Sequence, residues 1–204
     1  MFDRSVNLDY NTFMRKRLDA DATREAILTA ALESFSERGY GATSISQVAS
    51  RAKVTKSLVL YHFESKETLW QTTLEAHVRP MVQLFLKYAN GDPSLSFRDV
   101  IRTRFDFMKA SPHLSRLMTW LTLESAPLPI PIDQIAPRVF ARAKAELHDS
   151  GEPELVAALA LGAVDSWFRY RLLLERMAQI PAGDSSLDDQ YLDLVLKLVP
   201  EVKR

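Results

Sequence analysis

Residues 39–69 read GYGATSISQVASRAKVTKSLVLYHFESKETL, and this segment contains start signals for three consecutive helices. Ser44, followed three residues later by a glutamine, has the spacing of a capping box, in which two side chains bond the free N–H groups at a helix start. Thr55 and Ser65 are cap residues of the same kind. The segment therefore predicts two short helices around a tight turn and a longer helix after Ser65.

The second short helix, residues 56–62, is followed at once by Phe63 and has two different sides. Val59 and Phe63 are four residues apart, so they share one helix face and can pack against the preceding helices. The opposite face carries Lys56, Ser57, Leu60 and Tyr61. This division is typical of a helix-turn-helix motif, whose second helix enters the major groove of DNA while its other face packs on the domain core.

The remainder of the chain predicts further helices and no strands. Apolar residues recur at helical spacing over residues 22–38, and Gly39 follows as the expected stop. Turn and proline signals separate more helical segments towards the C-terminus, giving about nine helices in total. We predict an all-α protein with a flexible N-terminal arm at residues 1–20, a three-helix helix-turn-helix domain at 21–70 and a helical bundle at 71–204.

Composition argues against several classes of protein. The chain has 204 residues, of which 47% are hydrophobic, and it has no cysteine, so disulfides and thiolate chemistry are excluded. The four histidines are scattered without ligand spacing, and we predict neither a metal site nor a cofactor. Because the sequence has no run of about 18 apolar residues, we expect no membrane span. The lack of cysteine fits the cytoplasm, and we expect a cytoplasmic protein.

The net charge is zero, but basic residues concentrate in and before the helix-turn-helix segment. Four lysines and arginines lie between residues 43 and 66, where Glu64 is the one acidic residue, and residues 15–17 read RKR. A local charge patch, rather than the net charge, marks a nucleic-acid-binding surface. Residues 15–17 either contact DNA or belong to a solvated tail.

Residues 22–69 resemble the DNA-binding domain of the TetR family of transcriptional regulators. The resemblance rests on Gly39, Tyr40, residues 43–45, Val48, Ala49, Ala52, Val54, Thr55, Tyr61, Phe63 and residues 65–69. It implies that double-stranded operator DNA contacts the two short helices, their caps and the start of the next helix. The candidate contacts are Thr43, Ser44, Lys53, Thr55, Lys56, Ser57, Leu60, Tyr61, His62 and Lys66. For His62, a role in capping its own helix is the alternative.

Three positions depart from the family pattern. Lys53 stands where the turn usually has glycine, and a lysine costs about 1 kcal/mol if the backbone there is left-handed. Ser57 also replaces a common glycine. Leu60 occupies a position where an aromatic side chain often contacts DNA, and a leucine there would contact a thymine methyl group instead. The resemblance therefore predicts DNA binding but not the base sequence that is recognised.

The helical bundle predicts an interface between two copies of the chain. Residues 157–163 are apolar on nearly all sides, and a helix of this kind must be covered all round. The last helix also has a broad apolar face, and the family resemblance implies a homodimer. The candidate interface residues are Leu159, Ala163, Tyr191, Leu194, Val195 and Leu198. Packing of these helices within one chain is the alternative.

Aromatic, methionine and charged side chains of the bundle predict a pocket for a small-molecule effector, since such pockets are mostly apolar with a few polar groups. The candidates are Phe105, Met108, Trp120, Trp167, Tyr170 and Arg171. A wider set from the same helices adds Phe107, Met118, Phe168, His113, Arg104 and Asp165.

These features predict a homodimeric repressor that a small-molecule effector releases from operator DNA. An activator would use the same DNA-binding helices, so the sequence does not separate the two. A helical enzyme is the third hypothesis, and the sequence contains no recognisable nucleophile–base pair, phosphate loop or metal-ligand set to support it.

Overall fold

A computed structural model describes residues 4–124, 131–179, 181, 183 and 185–199, with side chains from residue 17 onward except that of residue 122. All regular secondary structure in these residues is helical, and the all-α prediction is confirmed. The helices are α1 (Arg4–Ala42), α2 (Ile45–Arg51), α3 (Lys56–Phe63), α4 (Lys66–Ala89), α5 (Phe97–Ala110), α6 (Pro112–Leu123), α7 (Ile132–Glu146), α8 (Pro153–Met177) and α9 (Ser186–Leu198). A single 3-10 turn, His148–Ser150, lies between α7 and α8.

Helix α1 differs from its prediction at the start and agrees with it at the end. It begins at Arg4 and not near residue 22, so residues 4–20 are helical where we expected an irregular arm. Flexibility of residues 1–20 stays a prediction. Gly39 has φ 75° and ψ 176° and interrupts the helix. Glycine adopts this positive φ without the steric cost that a Cβ atom brings, and the predicted stop is confirmed.

The chain divides into two compact units, Met1–Ala76 and His77–Arg204. In the first unit, α1, α2, α3 and the start of α4 enclose an apolar core. Phe35 and Trp70 meet edge to face there with ring centroids 4.9 Å apart, a geometry that aromatic pairs favour. The other fully buried side chains of this core include Ile27, Val48, Val59, Phe63, Leu69 and Leu74.

In the second unit, α8 packs against α5, α6, α7 and α9. Its buried face is formed by Ala157, Ala160, Val164 and Trp167, which recur at intervals of three or four residues. The two alanines have short side chains, so neighbouring helices can approach α8 closely at this end. The predicted domain boundary at residue 70 stays a prediction.

Arg142 of α7 connects that helix to the segment between α4 and α5. Its guanidinium donates to the backbone carbonyls of Tyr88, Asp92 and Leu95. Its Nε donates to Glu146 over 2.9 Å, and Glu146 in turn accepts the Phe97 backbone N–H over 2.6 Å. The pair therefore satisfies backbone groups that the end of α4 and the start of α5 leave without helical partners.

Across the described residues, no helix combines the length and the apolar composition that a bilayer crossing requires.

Candidate functional site

Helix α3 has the two faces that the sequence predicted. Thr55 caps its start, since the Leu58 backbone N–H donates to the Thr55 hydroxyl over 3.2 Å. Val59 and Phe63 are 0% and 1% exposed, whereas the Tyr61 side chain is 80% exposed. Burial of the first two holds the helix on the core and leaves the other face accessible.

The accessible face of α3 presents mixed chemistry. Lys56, Ser57 and Leu60 are exposed together with Tyr61. His62 is half-buried, with its ring 5.4 Å from that of Tyr61 and 6.1 Å from that of Phe63. Lysine, serine and tyrosine supply donors for phosphate oxygens and base edges, and leucine can contact a thymine methyl group.

Helix α2 is held by its cap and by an ion pair. The Gln47 backbone N–H donates to the Ser44 hydroxyl over 3.3 Å, and the Ser44 N–H donates to the Gln47 side chain over 2.7 Å, so the predicted capping box is confirmed. Arg51 at the other end of α2 donates to Glu37 of α1 over 2.6 Å. This hydrogen bond raises the pKa of the Arg51 guanidinium and ties α2 to α1.

The turn between α2 and α3 has a left-handed residue at Lys53. Its φ is 58°, a conformation that a side chain with a Cβ atom disfavours. The sequence predicted a cost at this position if its backbone is left-handed. The backbone is left-handed, so a lysine occupies a conformation that suits glycine. Backbone hydrogen bonds from Lys53 N–H to Ser50 O and from Val54 N–H to Ala49 O close the turn around it.

Thr43 requires a correction. We predicted a contact with DNA, but the residue is 3% exposed. Its hydroxyl lies 3.1 Å from the carbonyl oxygen of Ser34 and 2.7 Å from that of Gly39. The side chain therefore fixes the interrupted end of α1 within the fold, and we remove it from the predicted contact set.

Lys66 has partners within its own unit. Its ammonium group donates to the Gly41 carbonyl over 3.1 Å and lies 4.5 Å from the centre of the Tyr40 ring. Ser65 caps α4, because its hydroxyl accepts the Thr68 backbone N–H over 3.0 Å. Lys66 thus joins the start of α4 to the end of α1, and its contact with a phosphate stays a prediction.

The second unit contains a cavity of about 520 Å³, which is within the range of small-molecule pockets. Its wall is built from five helices, α4 to α8, and is predominantly apolar. The apolar lining consists of Val78, Met81, Val82, Phe85, Met118, Leu121, Ile132, Ile135, Ala136, Val139, Phe140, Ala158 and Leu161.

Three charged side chains, Arg104, Asp165 and Arg169, interrupt this apolar wall. Arg104 Nη2 donates to the two oxygens of Asp165 over 2.6 and 2.8 Å, joining α5 to α8. The Arg104 guanidinium also lies 5.7 Å from the centre of the Phe85 ring. Of the wider set named from the sequence, Arg104, Asp165 and Met118 line the cavity, whereas Phe107, His113 and Phe168 do not.

The six candidates of the effector pocket do not line this cavity. Phe105 and Met108 are 1% and 3% exposed and belong to the core. Tyr170 is 49% exposed, on the surface of the unit, and Trp120 is half-buried outside the lining. Trp167 and Arg171 take part in a hydrogen-bonded cluster with Asp188. The prediction of these six as lining residues is wrong for this cavity.

The lining residues of α4 and α7 were missed by the sequence reading. On α4 the lining residues recur at intervals of four and then three, at Val78, Val82 and Phe85. On α7 they recur at intervals of three and then four, at Ile132, Ile135 and Val139. This spacing was available as a signal, but it also describes a face that packs in a solid core.

The predicted interface residues fall into two groups. Leu159, Leu194 and Leu198 are 62%, 60% and 48% exposed, so they can contact another molecule. Val195 is 4% exposed, and the Tyr191 hydroxyl donates to the Ala163 carbonyl over 3.0 Å. Val195 therefore packs within the chain, and its prediction as an interface residue is wrong. Tyr191 and Ala163 join α9 to α8 within the chain.

Additional large apolar side chains of α8 are exposed, among them Leu155, Leu172, Leu173 and Met177. The surface formed by Leu155, Leu159, Leu194 and Leu198 is called the α8–α9 apolar surface below.

As for metals, no group of three or more histidine or acidic side chains in the described residues is arranged to hold an ion.

Comparison with known proteins agrees with the geometry of the first unit. Residues 27–72 match the family model described as bacterial regulatory proteins of the tetR family. The HTH-type transcriptional regulator RutR of Escherichia coli K12 is 33% identical over 111 residues, which cover 52% of this chain and 51% of RutR. The HTH-type transcriptional activator FasR of Mycolicibacterium smegmatis is 33% identical over 104 residues, covering 50% and 48%. The chain spans about half the length of these curated relatives.

Likeness to solved structures extends over more of the chain. The protein SCO4942 of Streptomyces coelicolor matches with a TM-score of 0.63 and 23% identity, covering 87% of this chain and 98% of that protein. At this identity the likeness concerns the fold alone. The capped α2–turn–α3 arrangement defines a helix-turn-helix protein of the all-α class. The family match over residues 27–72 confirms that the helix-turn-helix segment of this chain resembles that of the TetR family of bacterial regulatory proteins.

Proposed function

We propose that this chain is a homodimeric transcriptional repressor that binds operator DNA through α3 and leaves it when a small molecule occupies the cavity. The observation that carries the proposal is the exposed polar face of α3, opposite the buried anchors Val59 and Phe63, within a segment of TetR-family sequence. As a DNA-bound regulator it would act in the cytoplasm of its bacterium.

The exposed side chains have different roles in this proposal. Lys56 and the capping hydroxyls of Ser44 and Thr55 contact phosphates and fix the position of the helix, whereas Tyr61 and Leu60 contact base edges or methyl groups. Phosphate contacts set register and carry no sequence information by themselves. Ser57, His62, Lys53 and Lys66 complete the proposed contact set.

Dimer formation is supported by the α8–α9 apolar surface. Exposed leucines at Leu159, Leu194 and Leu198 would be removed from water between two copies, and each square ångström of apolar area buried contributes about 25 cal/mol. A twofold dimer also presents two copies of α3 to successive major grooves, which a single copy does not.

Release by an effector requires a connection between the cavity and α3. Helix α4 supplies it along the chain: it begins at Lys66, directly after α3, and its later residues Val78, Met81 and Phe85 line the cavity. A ligand shifts the balance between DNA-binding and released states only if it binds one of them more tightly.

The test is DNA selection with the purified chain on genomic fragments, followed by fluorescence anisotropy on the selected duplex. We expect specific binding whose logarithmic affinity falls steeply with the logarithm of salt concentration, because lysines displace counterions from phosphates. Absence of any selected fragment, or binding insensitive to salt, would overturn the proposal.

A transcriptional activator is the second candidate, and the similarity to FasR, an HTH-type transcriptional activator, favours it. Both functions use the same DNA-binding helix. Mapping the bound site relative to a promoter separates them: a site overlapping the polymerase-binding region supports repression, and a site upstream of it supports activation.

A further inference from the structure

The positive and negative charges of the cavity wall do not sum to zero. Arg104 and Arg169 each carry a positive charge, and Asp165 carries the one negative charge among the described lining residues. Arginine does not lose its proton in proteins. The cavity therefore has one excess positive charge beside its apolar lining. Arg169, which supplies that charge, is exposed to solvent, and a cationic site of this kind attracts an anion.

Arg104 uses only part of its hydrogen-bonding capacity. Both oxygens of Asp165 accept from Nη2, and the hydrogen bonds of Arg104 to described residues go through that atom alone. Nε is buried and has no hydrogen-bond partner among the described residues. A guanidinium has five N–H donors in a fixed plane, and the two on Nη1 make no hydrogen bond to a described residue, so Arg104 retains these donors for an additional acceptor.

Arg169 adds a second cation to the same wall. It follows Asp165 by one helical turn on α8, yet the two form no ion pair, and Arg169 forms none with any other described residue. Asp165 is instead engaged by Arg104. Arg169 is thus an exposed lining cation, whose charge the described part of the fold leaves without a counterion.

We propose that the cavity binds a monoanionic carboxylate with an apolar body, such as an alkanoate. The carboxylate accepts hydrogen bonds from Arg104 and Arg169, and the hydrocarbon contacts side chains such as Val78, Phe85 and Val139. A cationic ligand would meet the excess positive charge, and a neutral alcohol would leave that charge uncompensated. The inference rests on the proposed function, because it names the ligand class of the effector cavity.

The test measures ligand binding by isothermal titration calorimetry on the full chain without DNA. Three matched series are titrated at six, eight and ten carbons: alkanoates, primary alcohols and alkylammonium ions. We expect each alkanoate to bind about 10-fold or more tightly than the alcohol of the same length, because charge-assisted hydrogen bonds are the stronger kind. Equal affinities, tighter binding of the ammonium series or no binding of any probe would overturn the proposal.

Substitutions in the wall localise the effect. Arg169→Met should weaken octanoate binding about 10-fold and leave octanol binding unchanged, since only the charged ligand uses the guanidinium. Arg169→Glu should reverse the preference, so that octylammonium binds more tightly than octanoate. Arg102→Met is the matched control, because Arg102 is an exposed arginine of α5 outside the lining. Unchanged octanoate affinity in Arg169→Met would refute the assignment.

Two outcomes separate this inference from the proposed function. If the chain binds selected DNA but discriminates none of the three series, the regulator stands and the ligand class is wrong. If octanoate binds through Arg169 but no genomic fragment is selected, the ligand class stands and the regulator function is wrong. Folding of each variant is verified by its thermal unfolding before titration.

Discussion

Asp188 accepts the indole N–H of Trp167 over 2.9 Å, and this hydrogen bond joins α9 to α8. The Asp188 residue is 2% exposed. Arg171 of α8 also donates to its carboxylate, and the ammonium group of Lys109 from α5 lies 3.3 Å away. A buried carboxylate remains ionised only with such partners. Three helices of the second unit are therefore held at one acidic side chain.

Replacing Asp188 by asparagine should lower the free energy of unfolding by about 2 kcal/mol, because Arg171 and Lys109 lose their shared negative partner. The change keeps the size of the side chain, so the loss reports charge and not packing. Urea unfolding followed by circular dichroism measures it. Asp189→Asn is the control, since the neighbouring side chain is 80% exposed and should change stability little. Equal effects of the two substitutions would contradict this prediction.

The same carboxylate predicts how stability depends on pH. Burial opposes ionisation of Asp188, but hydrogen bonds from Trp167 and Arg171 outweigh it and hold the pKa below the ordinary 3.8. Because the pKa is lower in the folded state, the stabilisation is complete well above pH 3.8 and is lost as pH falls through the depressed value. Urea midpoints of the native chain and Asp188→Asn should differ equally at pH 7 and 6 and converge towards pH 2. A constant difference down to pH 2 would argue against this role.

The local start and stop signals of the first unit were readable from the sequence because each acts within a few residues. Ser44, Thr55 and Ser65 each satisfy a backbone N–H group three residues away, and their caps appear in the structure as predicted. The same holds for Gly39, whose positive φ is a property of one residue. Short-range chemistry of this kind does not depend on the rest of the fold.

The cavity could not be located in this way, because an apolar helix face looks the same whether it meets a solid core or an empty space. Phe105 and Trp167 were expected in the pocket, yet they pack with Tyr191, whose ring stacks on that of Trp167 at 4.3 Å. Which apolar faces meet is decided by contacts between helices distant in sequence. The ion pair of Arg104 with Asp165 spans 61 positions, and no local pattern reports it.

The left-handed backbone conformation of Lys53 should lower the free energy of unfolding of the first unit. Lys53→Gly should raise the free energy of unfolding by about 1 kcal/mol, since glycine adopts a φ of 58° without strain. Lys53→Ala retains the Cβ atom and should give no such gain. Both variants should bind DNA more weakly with a shallower salt dependence if the ammonium group contacts a phosphate. A stabilised Lys53→Gly variant with unchanged DNA affinity would limit this lysine to a passive surface role.

The α8–α9 apolar surface should control assembly. Leu159→Glu puts a charge into an area that the proposed dimer removes from water, and we expect sedimentation velocity to show monomers where the native chain forms dimers. Leu123→Glu is the control, because Leu123 of α6 is 71% exposed outside that surface. If the dimer is lost, the affinity for DNA should also fall, because a single copy of the chain contacts one half-site. Dimers that persist in Leu159→Glu would exclude this surface as the interface.

Two substitutions on α3 should distinguish phosphate contacts, which position the helix on DNA, from base contacts, which determine the recognised sequence. Lys56→Ala should weaken binding to all duplexes by a similar factor and reduce the salt slope by about 1, as expected for one lost phosphate contact. Tyr61→Ala should instead weaken the selected duplex more than its single-base variants, because base contacts carry the discrimination. Both side chains are exposed, so the unfolding midpoint should be unchanged. Lys87→Ala, an exposed lysine of the second unit, controls for the loss of charge alone. If Lys56→Ala and Tyr61→Ala give the same pattern across duplexes, the assignment of separate roles on α3 is wrong.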